Sequence, residues 1–462
     1  MRDRFPQPRL RLALIAYAAV WILLLPVVLL YLWRRGRRDA LYFAHLGERF
    51  GWHRPFAAGA VWVHAVSLGE IRSAVPLIRA LLDRGDKVVT THFTPAGRRE
   101  AARVFAAEIA MGQVRVAWVP FDTGFAYRRF LKTFRPRCGL VMEIEIWPGM
   151  IMAARRGSVP LYMCNAQYPS KSYARDGQTG LRAQLMQGYG GAMVKSGLQA
   201  QRFASVGVTQ IHVTGELRFD QPIPPHQVAA GLAVRHWLAG GPGGGREGGL
   251  EGGPRLVITI ASAVEGEDDL YITTVLNLRA AHAARGLPPP LFIYVPRKPE
   301  RFAAVGAALA DAGLAVGKRS VLLDSQLAPA GQHQGATPAI DVLLGDSLGE
   351  MYAYLAMADI VVVGGGFVPA GAHNISEALA LGKPVLTGPE TWTIEFPFVE
   401  AAAAGVARSV PDAASLLAAL TDDSAADPAA IAGFFATCTG ATARTVAAMD
   451  RLLAGHPPDG PR

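Results

Sequence analysis

The chain has 462 residues, enough for two or three domains at roughly 100–200 residues each. With 51% hydrophobic and 18% charged residues, extended disorder is excluded, while a mean hydropathy of +0.21 falls short of a multi-span transporter. The net charge of +9 is concentrated: residues 1–40 hold eight Arg against Asp3 and Asp39, so the other 422 residues carry only +3, and a nucleic-acid partner is not expected.

The basic residues bracket Leu12–Trp33, 22 residues without a charge. As a helix this stretch reaches about 33 Å, enough to cross a hydrocarbon core. It is long for a signal-peptide apolar region, and no small-residue cleavage site precedes the run Arg34-Arg35-Gly36-Arg37-Arg38. Residues 1–39 are therefore expected to be a single membrane anchor, spanning or embedded in one leaflet. The denser downstream cluster leaves the body on the cytoplasmic side, close to anionic membrane lipids.

Short apolar runs then alternate with helical stretches. Strands are expected at Ala60–His64, Lys87–His92, Val114–Val119, Cys138–Glu143, Val159–Cys164, Ala192–Val194 and Ile211–Thr214, with an amphipathic helix over Ile71–Leu82. The glycine-rich run Ala239–Pro254 cannot build a core and reads as a linker. Beyond it strands are expected at Arg255–Ile260, Leu291–Val295, Ala339–Leu344, Asp359–Val363 and Lys383–Leu386, then helices over Ala401–Leu453 and a frayed end. The expected fold is α/β, with two Rossmann-like doubly wound domains, at 40–235 and 255–440, facing a cleft; 236–254 is the linker and 441–462 a tail. Three scattered cysteines, Cys138, Cys164 and Cys438, exclude a disulfide scaffold and fit a reducing compartment.

Several strand ends carry polar motifs. After the first strand comes Ser67-Leu68-Gly69-Glu70, where Glu70 is either a carboxylate favoured at a helix start or a general base for a hydroxyl nucleophile. Glu143 and Glu145, in Glu143-Ile144-Glu145-Ile146-Trp147-Pro148, should share a side of the strand; they read as a surface pair or as acids for substrate hydroxyls and developing positive charge. Pro296-Arg297-Lys298-Pro299-Glu300-Arg301 offers three cations suited to a phosphate, or a solvated charge run. Gly345-Asp346-Ser347-Leu348-Gly349-Glu350 is another strand–turn–helix start. In Gly364-Gly365-Gly366 followed by Gly371-Ala372-His373-Asn374-Ile375-Ser376-Glu377, a glycine-rich loop opens a helix over Ser376–Leu381, whose free N–H groups suit an anion. Glu377 there could accept a sugar hydroxyl. Neither the dinucleotide nor the P-loop spacing is present, no metal-ligand spacing occurs, and His64 reads as a core histidine.

Taken in order, from about residue 40 to 440, these segments resemble the 3-deoxy-D-manno-oct-2-ulosonic acid (Kdo) transferases of lipopolysaccharide assembly. The landmarks are Ser-x-Gly-Glu (67–70), Thr-Pro-x-Gly (94–97), Pro-x-Asp (120–122), Glu-x-Glu-x-Trp-Pro (143–148), Asn-Ala (165–166), Arg-Phe-x-x-x-Gly (202–207) and Gly-x-Leu-x-Phe-Asp (215–220). They continue with Pro-Arg-x-Pro-Glu-Arg-Phe (296–302), Gly-Asp-x-x-Gly-Glu (345–350), His-Asn-x-x-Glu (373–377) and Gly-Pro (388–389). The resemblance implies an inverting GT-B glycosyltransferase without metal or cofactor, using CMP-Kdo as donor and a lipid A precursor of lipid IVA type as acceptor, at the inner face of the inner membrane. It implies that Glu70 is the general base and that Glu143 and Arg218 stabilise the transition state. It assigns CMP binding to Pro296, Arg297, Leu348, Gly349, Glu350, Asn374, Ile375, Ser376 and Glu377. The sequence departs from the family pattern at Arg218, usually Lys, and in 165–169, 262–267 and 391–396. A related glycosyltransferase with another nucleotide-sugar or acceptor, or a catalytically silent lipid-binding paralogue, is the alternative.

Overall fold

The computed structural model describes residues 5–176, 180–240, 254–331, 337–422 and 426–455. The glycine-rich run at 241–253 and the last residues, 456–462, expected as linker and frayed end, lie outside the described residues. The chain forms two compact units: Met1–Gln221 together with Cys438–Arg462, and Pro222–Thr437.

The first unit opens with α1, Pro8–Gly36. Proline at the first helical position is pre-organised for a helix, and Arg34 and Arg35 complement the dipole in the last turn. Leu12, Ile15, Ile22 and Leu23 stand exposed, while Leu10 and Leu32, near opposite ends, are buried. α1 is long and apolar enough to cross a membrane.

Seven parallel strands follow: β1 Val61–His64, β2 Val88–His92, β3 Val114–Trp118, β4 Cys138–Met142, β5 Leu161–Ala166, β6 Gly191–Val194 and β7 Ile211–Val213, in the order β3-β2-β1-β4-β5-β6-β7. β1 pairs with both β2 and β4 (Val61 against Val88 and Cys138), so the winding direction reverses between β1 and β4. Helices cover both faces, which is why β1, β2 and β4 are buried along their whole length. The helix Leu68–Asp83 buries Ile71, Ala74, Leu77, Ile78 and Leu81 at helical spacing. Pro76 within it donates no hydrogen bond to the Arg72 carbonyl, four residues back. Gln221 Nε2 donates to that carbonyl instead (2.7 Å), tying the end of the unit to this helix.

The second unit has seven parallel strands: β8 Val257–Ala263, β9 Leu291–Pro296, β10 Val316–Lys318, β11 Val342–Leu344, β12 Ile360–Val363, β13 Val385–Thr387 and β14 Ala407–Ser409, in the order β10-β11-β9-β8-β12-β13-β14. Here the direction reverses between β8 and β12.

The structure departs from the sequence reading at particular places. β10 and β14 were not expected, and β14 interrupts the stretch expected to be wholly helical; three residues at a sheet edge are too short for a period to register. β4 stops at Met142, because Glu143 has φ +58°, in the left-handed region. The helix Pro225–Ala239 belongs to the second unit, although most of it falls in the expected first domain. The helix Ala441–Ala454, expected as helical, belongs to the first unit, where its Thr445, Ala448, Met449 and Leu452 are buried. Its apolar face covers the core around Ile71 and Leu81.

Candidate functional site

In a doubly wound sheet the strand ends on either side of the reversal frame a crevice. In the first unit these are the ends of β1 and β4, which lead to Glu70 and to Glu143. Ser67 caps the Leu68–Asp83 helix by accepting from the Glu70 N–H (3.3 Å). The Glu70 carboxylate answers by accepting from Ser67 Oγ (3.0 Å) and from the Val66 N–H (2.7 Å), a reciprocal capping arrangement. Glu70 is therefore both a structural cap and a half-buried acid. Burial, then the charges of Glu145 and Glu143, push its pKa up to about 8.

Glu143 is held from three sides. Its N–H donates to the Cys164 carbonyl (2.9 Å), and its Oε1 accepts from Asn165 Nδ2 (2.9 Å) and pairs with Lys195 Nζ (3.0 Å). Asn165, itself at φ +52°, also accepts from the Leu217 N–H (2.9 Å), which fixes the turn carrying Arg218. Lys195 reaches Glu216 as well (3.3 Å). Burial alone would lower the Lys195 pKa, but the two carboxylates outweigh it and the net shift is upward. Arg218 Nε lies 3.8 Å from Glu216 and donates to Ser73 Oγ (2.8 Å), one turn beyond Glu70. Glu70, Glu143 and Arg218 thus belong to one cluster within the first unit.

Lys195, Glu216 and Ser73 were missed by the sequence reading. The signal was a lone Lys ending an apolar strand and an acid beside Arg218. Glu145, expected to share a side with Glu143 through strand alternation, instead follows a turn at Glu143 and lies within electrostatic reach of Glu70. Trp147 Nε1 donates to Glu145 (2.5 Å), and burial raises its pKa.

Other landmarks of this unit are structural. Asp122 accepts from the N–H groups of Gly149 and Met150 (2.9 and 2.8 Å), capping the Pro148–Arg156 helix. Gly97 sits where a Cβ would lie 3.1 Å from the Ser67 backbone, so a side chain there would press on the turn that holds Glu70. His64 is a core residue, fully buried with Nδ1 2.8 Å from Thr91 Oγ1, and burial drops its pKa to about 3.

In the second unit the reversal lies beside Glu267, which is fully buried. Its carboxylate accepts from the N–H groups of Val264 (3.0 Å), Gly365 (2.8 Å) and Phe367 (3.1 Å), so it shapes the glycine-rich loop from within. Pro296 is buried at the end of β9, and Arg297 beyond it is exposed. Arg301 pairs with Asp268, and Arg297 and Lys298 are exposed. Burial first and Arg297 second lower the His373 pKa to about 4, which places Arg297 within electrostatic reach of the loop before Asn374.

Asn374 Oδ1 accepts from the Ser376 N–H (3.0 Å), and the helix that follows is only five residues long, Ser376–Ala380. The expected anion site on free N–H groups is therefore partly filled by the chain itself. Ile375 is a core side chain, so only its backbone is available to a ligand. Leu348 is exposed and Gly349 has φ +85°. Glu350 is held by Arg319 (2.7 and 2.6 Å) and by Ser347 (2.5 Å), so its carboxylate orders the turn. Burial and then Glu377 raise the Tyr352 phenol, which brings the 348–350 and 374–377 segments together.

Two seven-stranded doubly wound units define an α/β protein of the GT-B class. A UDP-GlcNAc 2-epimerase from Neisseria meningitidis shares this fold, with a TM-score of 0.52 at 14% identity over 85% of this chain and 100% of that one. Residues 44–221 match the family described as 3-deoxy-D-manno-octulosonic-acid transferase (kdotransferase). A 3-deoxy-D-manno-octulosonic acid transferase of Bordetella pertussis is 40% identical over 93% of this chain and 97% of its own length. One from Haemophilus influenzae is 26% identical over 81% and 82%. The chain belongs to the Kdo transferase family and is a glycosyltransferase.

Proposed function

We propose that the chain moves Kdo from CMP-Kdo to a lipid A precursor of lipid IVA type, with inversion and with Glu70 as general base. The observation that carries this reading is the Glu70 carboxyl, whose pKa of about 8 lies near working pH, in one cluster with Glu143 and Arg218. Family membership supports the sugar.

Glu70 takes the proton of the acceptor hydroxyl as that oxygen bonds to the anomeric carbon. The bond from this carbon to the CMP phosphate oxygen breaks in the same displacement, and its electron pair leaves with CMP. Attack opposite the leaving group inverts the centre. The carbon gains oxocarbenium character, which the Glu143 carboxylate stabilises, while Arg218 offsets developing negative charge. Pro296, Arg297, the 348–350 turn and the 374–377 segment hold the cytidylate, with Arg297 as the phosphate's cation. α1 attaches the protein to the inner membrane with its body on the cytoplasmic side, the side favoured by the 34–38 arginine cluster. Burial of both Leu10 and Leu32 against one unit favours a helix lying within one leaflet over one that crosses both.

The test is an assay of the full chain with CMP-Kdo and a tetra-acylated lipid A precursor, reading product mass. The native protein adds Kdo, whereas Glu70→Gln binds CMP normally and adds it about 10²–10⁴-fold more slowly. Near-normal turnover by that variant would remove Glu70 from the mechanism.

A further inference from the structure

A cavity of about 390 Å³ lies between α1 and the body of the first unit. Tyr17, Trp21 and Leu32 line its helix side, and Phe93, Phe121 and Trp147 its body side. Tyr17 donates to Asp122 (2.8 Å) and receives the Trp21 indole N–H (2.7 Å), so this face of α1 is fixed against the body.

Arg49 is the one charged residue lining the cavity among the described residues. It is 1% exposed, and its Nε and Nη2 have no hydrogen-bond partner among the described residues. The guanidinium lies over the Trp118 ring at 4.2 Å. The adjacent carboxylate, Glu48, is already taken by Arg98 (2.5 Å) and by the Trp118 N–H (2.8 Å). A buried cation without an anion is costly, and a phosphate is the group a guanidinium fork fits best. Burial, then the like charge of Arg98, lowers the Arg49 pKa to about 10, as expected where an anion is missing.

One wall of the cavity adjoins the acid cluster. Trp147 lines it and donates its indole N–H to Glu145, whose charge acts on Glu70. On the other side, the exposed stripe of α1 would sit among acyl chains.

We infer that this groove holds the lipid acceptor, with an acyl chain along α1 and a phosphate on Arg49. The inference rests on the reading of the chain as a lipid-directed transferase. Bulk phospholipid shares the phosphate and the chain, but only the acceptor must also present a hydroxyl to Glu70.

The full chain in phosphatidylcholine nanodiscs is titrated with a phosphorylated tetra-acyl glucosamine disaccharide, its dephosphorylated form, or phosphatidylglycerol, and bound lipid is counted by native mass spectrometry. Arg49→Gln, and Val28→Trp, which fills the groove, should each weaken the phosphorylated disaccharide about tenfold or more, the scale of one lost charged hydrogen bond. Arg49→Lys, which keeps the charge but not the fork, should lose less affinity than Arg49→Gln, and Arg49→Gln should leave the dephosphorylated lipid unaffected. Unchanged binding in Val28→Trp and Arg49→Gln would overturn the inference. So would phosphatidylglycerol binding as tightly with the same sensitivity, which would assign the groove to bulk lipid. If Arg49→Gln fails to fold, Val28→Trp decides, since Val28 lines the groove on its helix side. Binding is read without turnover, so a chain that takes the disaccharide here yet transfers no sugar supports the groove and contradicts the transfer reading.

Discussion

In the first unit titratable side chains gather beyond the strand ends: Glu70 after β1, Glu143 after β4, and Lys195, Glu216 and Arg218 after β6 and β7, the last four linked by ion pairs. In the second unit the equivalent space between β8 and β12 holds a buried carboxylate, Glu267, which accepts from the backbone N–H groups of Val264, Gly365 and Phe367. The same winding places both crevices, yet the first presents charge and the second presents a backbone contour. A charged network can move protons and offset charge; a contoured loop can grip a nucleotide. On the proposed function, two copies of one scaffold would divide chemistry from donor binding.

The largest effect expected from breaking this contrast is in Glu70→Gln. It should cut transfer by about 10²–10⁴-fold with CMP affinity unchanged, read by initial rates and by calorimetry. Next is Lys195→Met, which takes away the cation shared by half-buried Glu143 and buried Glu216. A loss of about 3–5 kcal/mol is expected in denaturant unfolding, and a stable variant would mean the network does not depend on Lys195. In the second unit, Glu267→Gln removes a charge accepting several N–H bonds and should cost about 1.5–3 kcal/mol. It should weaken CMP binding while leaving the pH dependence of transfer in place. Arg297→Ala should raise the donor Kd about tenfold with the maximal rate retained; unchanged donor affinity would reject its contact with phosphate.

The smallest effect concerns pH. Because Glu70 must be ionised to act as a base, kcat/KM should rise through about pH 8. Glu145→Gln removes one like charge but not the burial, so the limb should move down and stay above the ordinary carboxylate range. The stability sign is the reverse. A carboxyl whose folded pKa is raised stabilises the fold in its protonated form, fully below the unfolded value and decreasingly as pH climbs through about 8. A rate profile flat across pH 6–9 would separate Glu70 from proton transfer.

Much of this was legible because buried parallel strands are continuous apolar runs and polar residues at their ends stand out. Val61–His64 and Cys138–Met142 were visible in that way, and Ser67–Glu70 carried its cap and its acid in four letters. Edge strands such as Val316–Lys318 were not, since three residues carry no period. The orientation of Glu145 was misread because a left-handed residue at Glu143 ends the alternation, and no local composition announces a non-glycine residue at positive φ. Lys195 left only a faint mark, a lone Lys after an apolar strand. Its importance lies in meeting Glu143 and Glu216 across three chain segments, which only the folded sheet brings together. The commitment of Asn374 to Ser376 was likewise hidden, although asparagine before a helix commonly turns back on its own backbone.

The Ala441–Ala454 helix completes the first unit from the far end of the chain. Asp220 accepts from the Gly440 and Thr442 N–H groups (2.6 and 2.5 Å), Arg84 pairs with Asp450 (3.0 Å), and Tyr162 donates to the Leu452 carbonyl (3.1 Å). During synthesis the second unit therefore leaves the ribosome whole before the first has its final helix. Until then the first unit waits with the apolar surface around Ile71 and Leu81 uncovered. A stop codon shortly before residue 441 would lose few residues and yet leave the amino-terminal half unfinished and prone to aggregate.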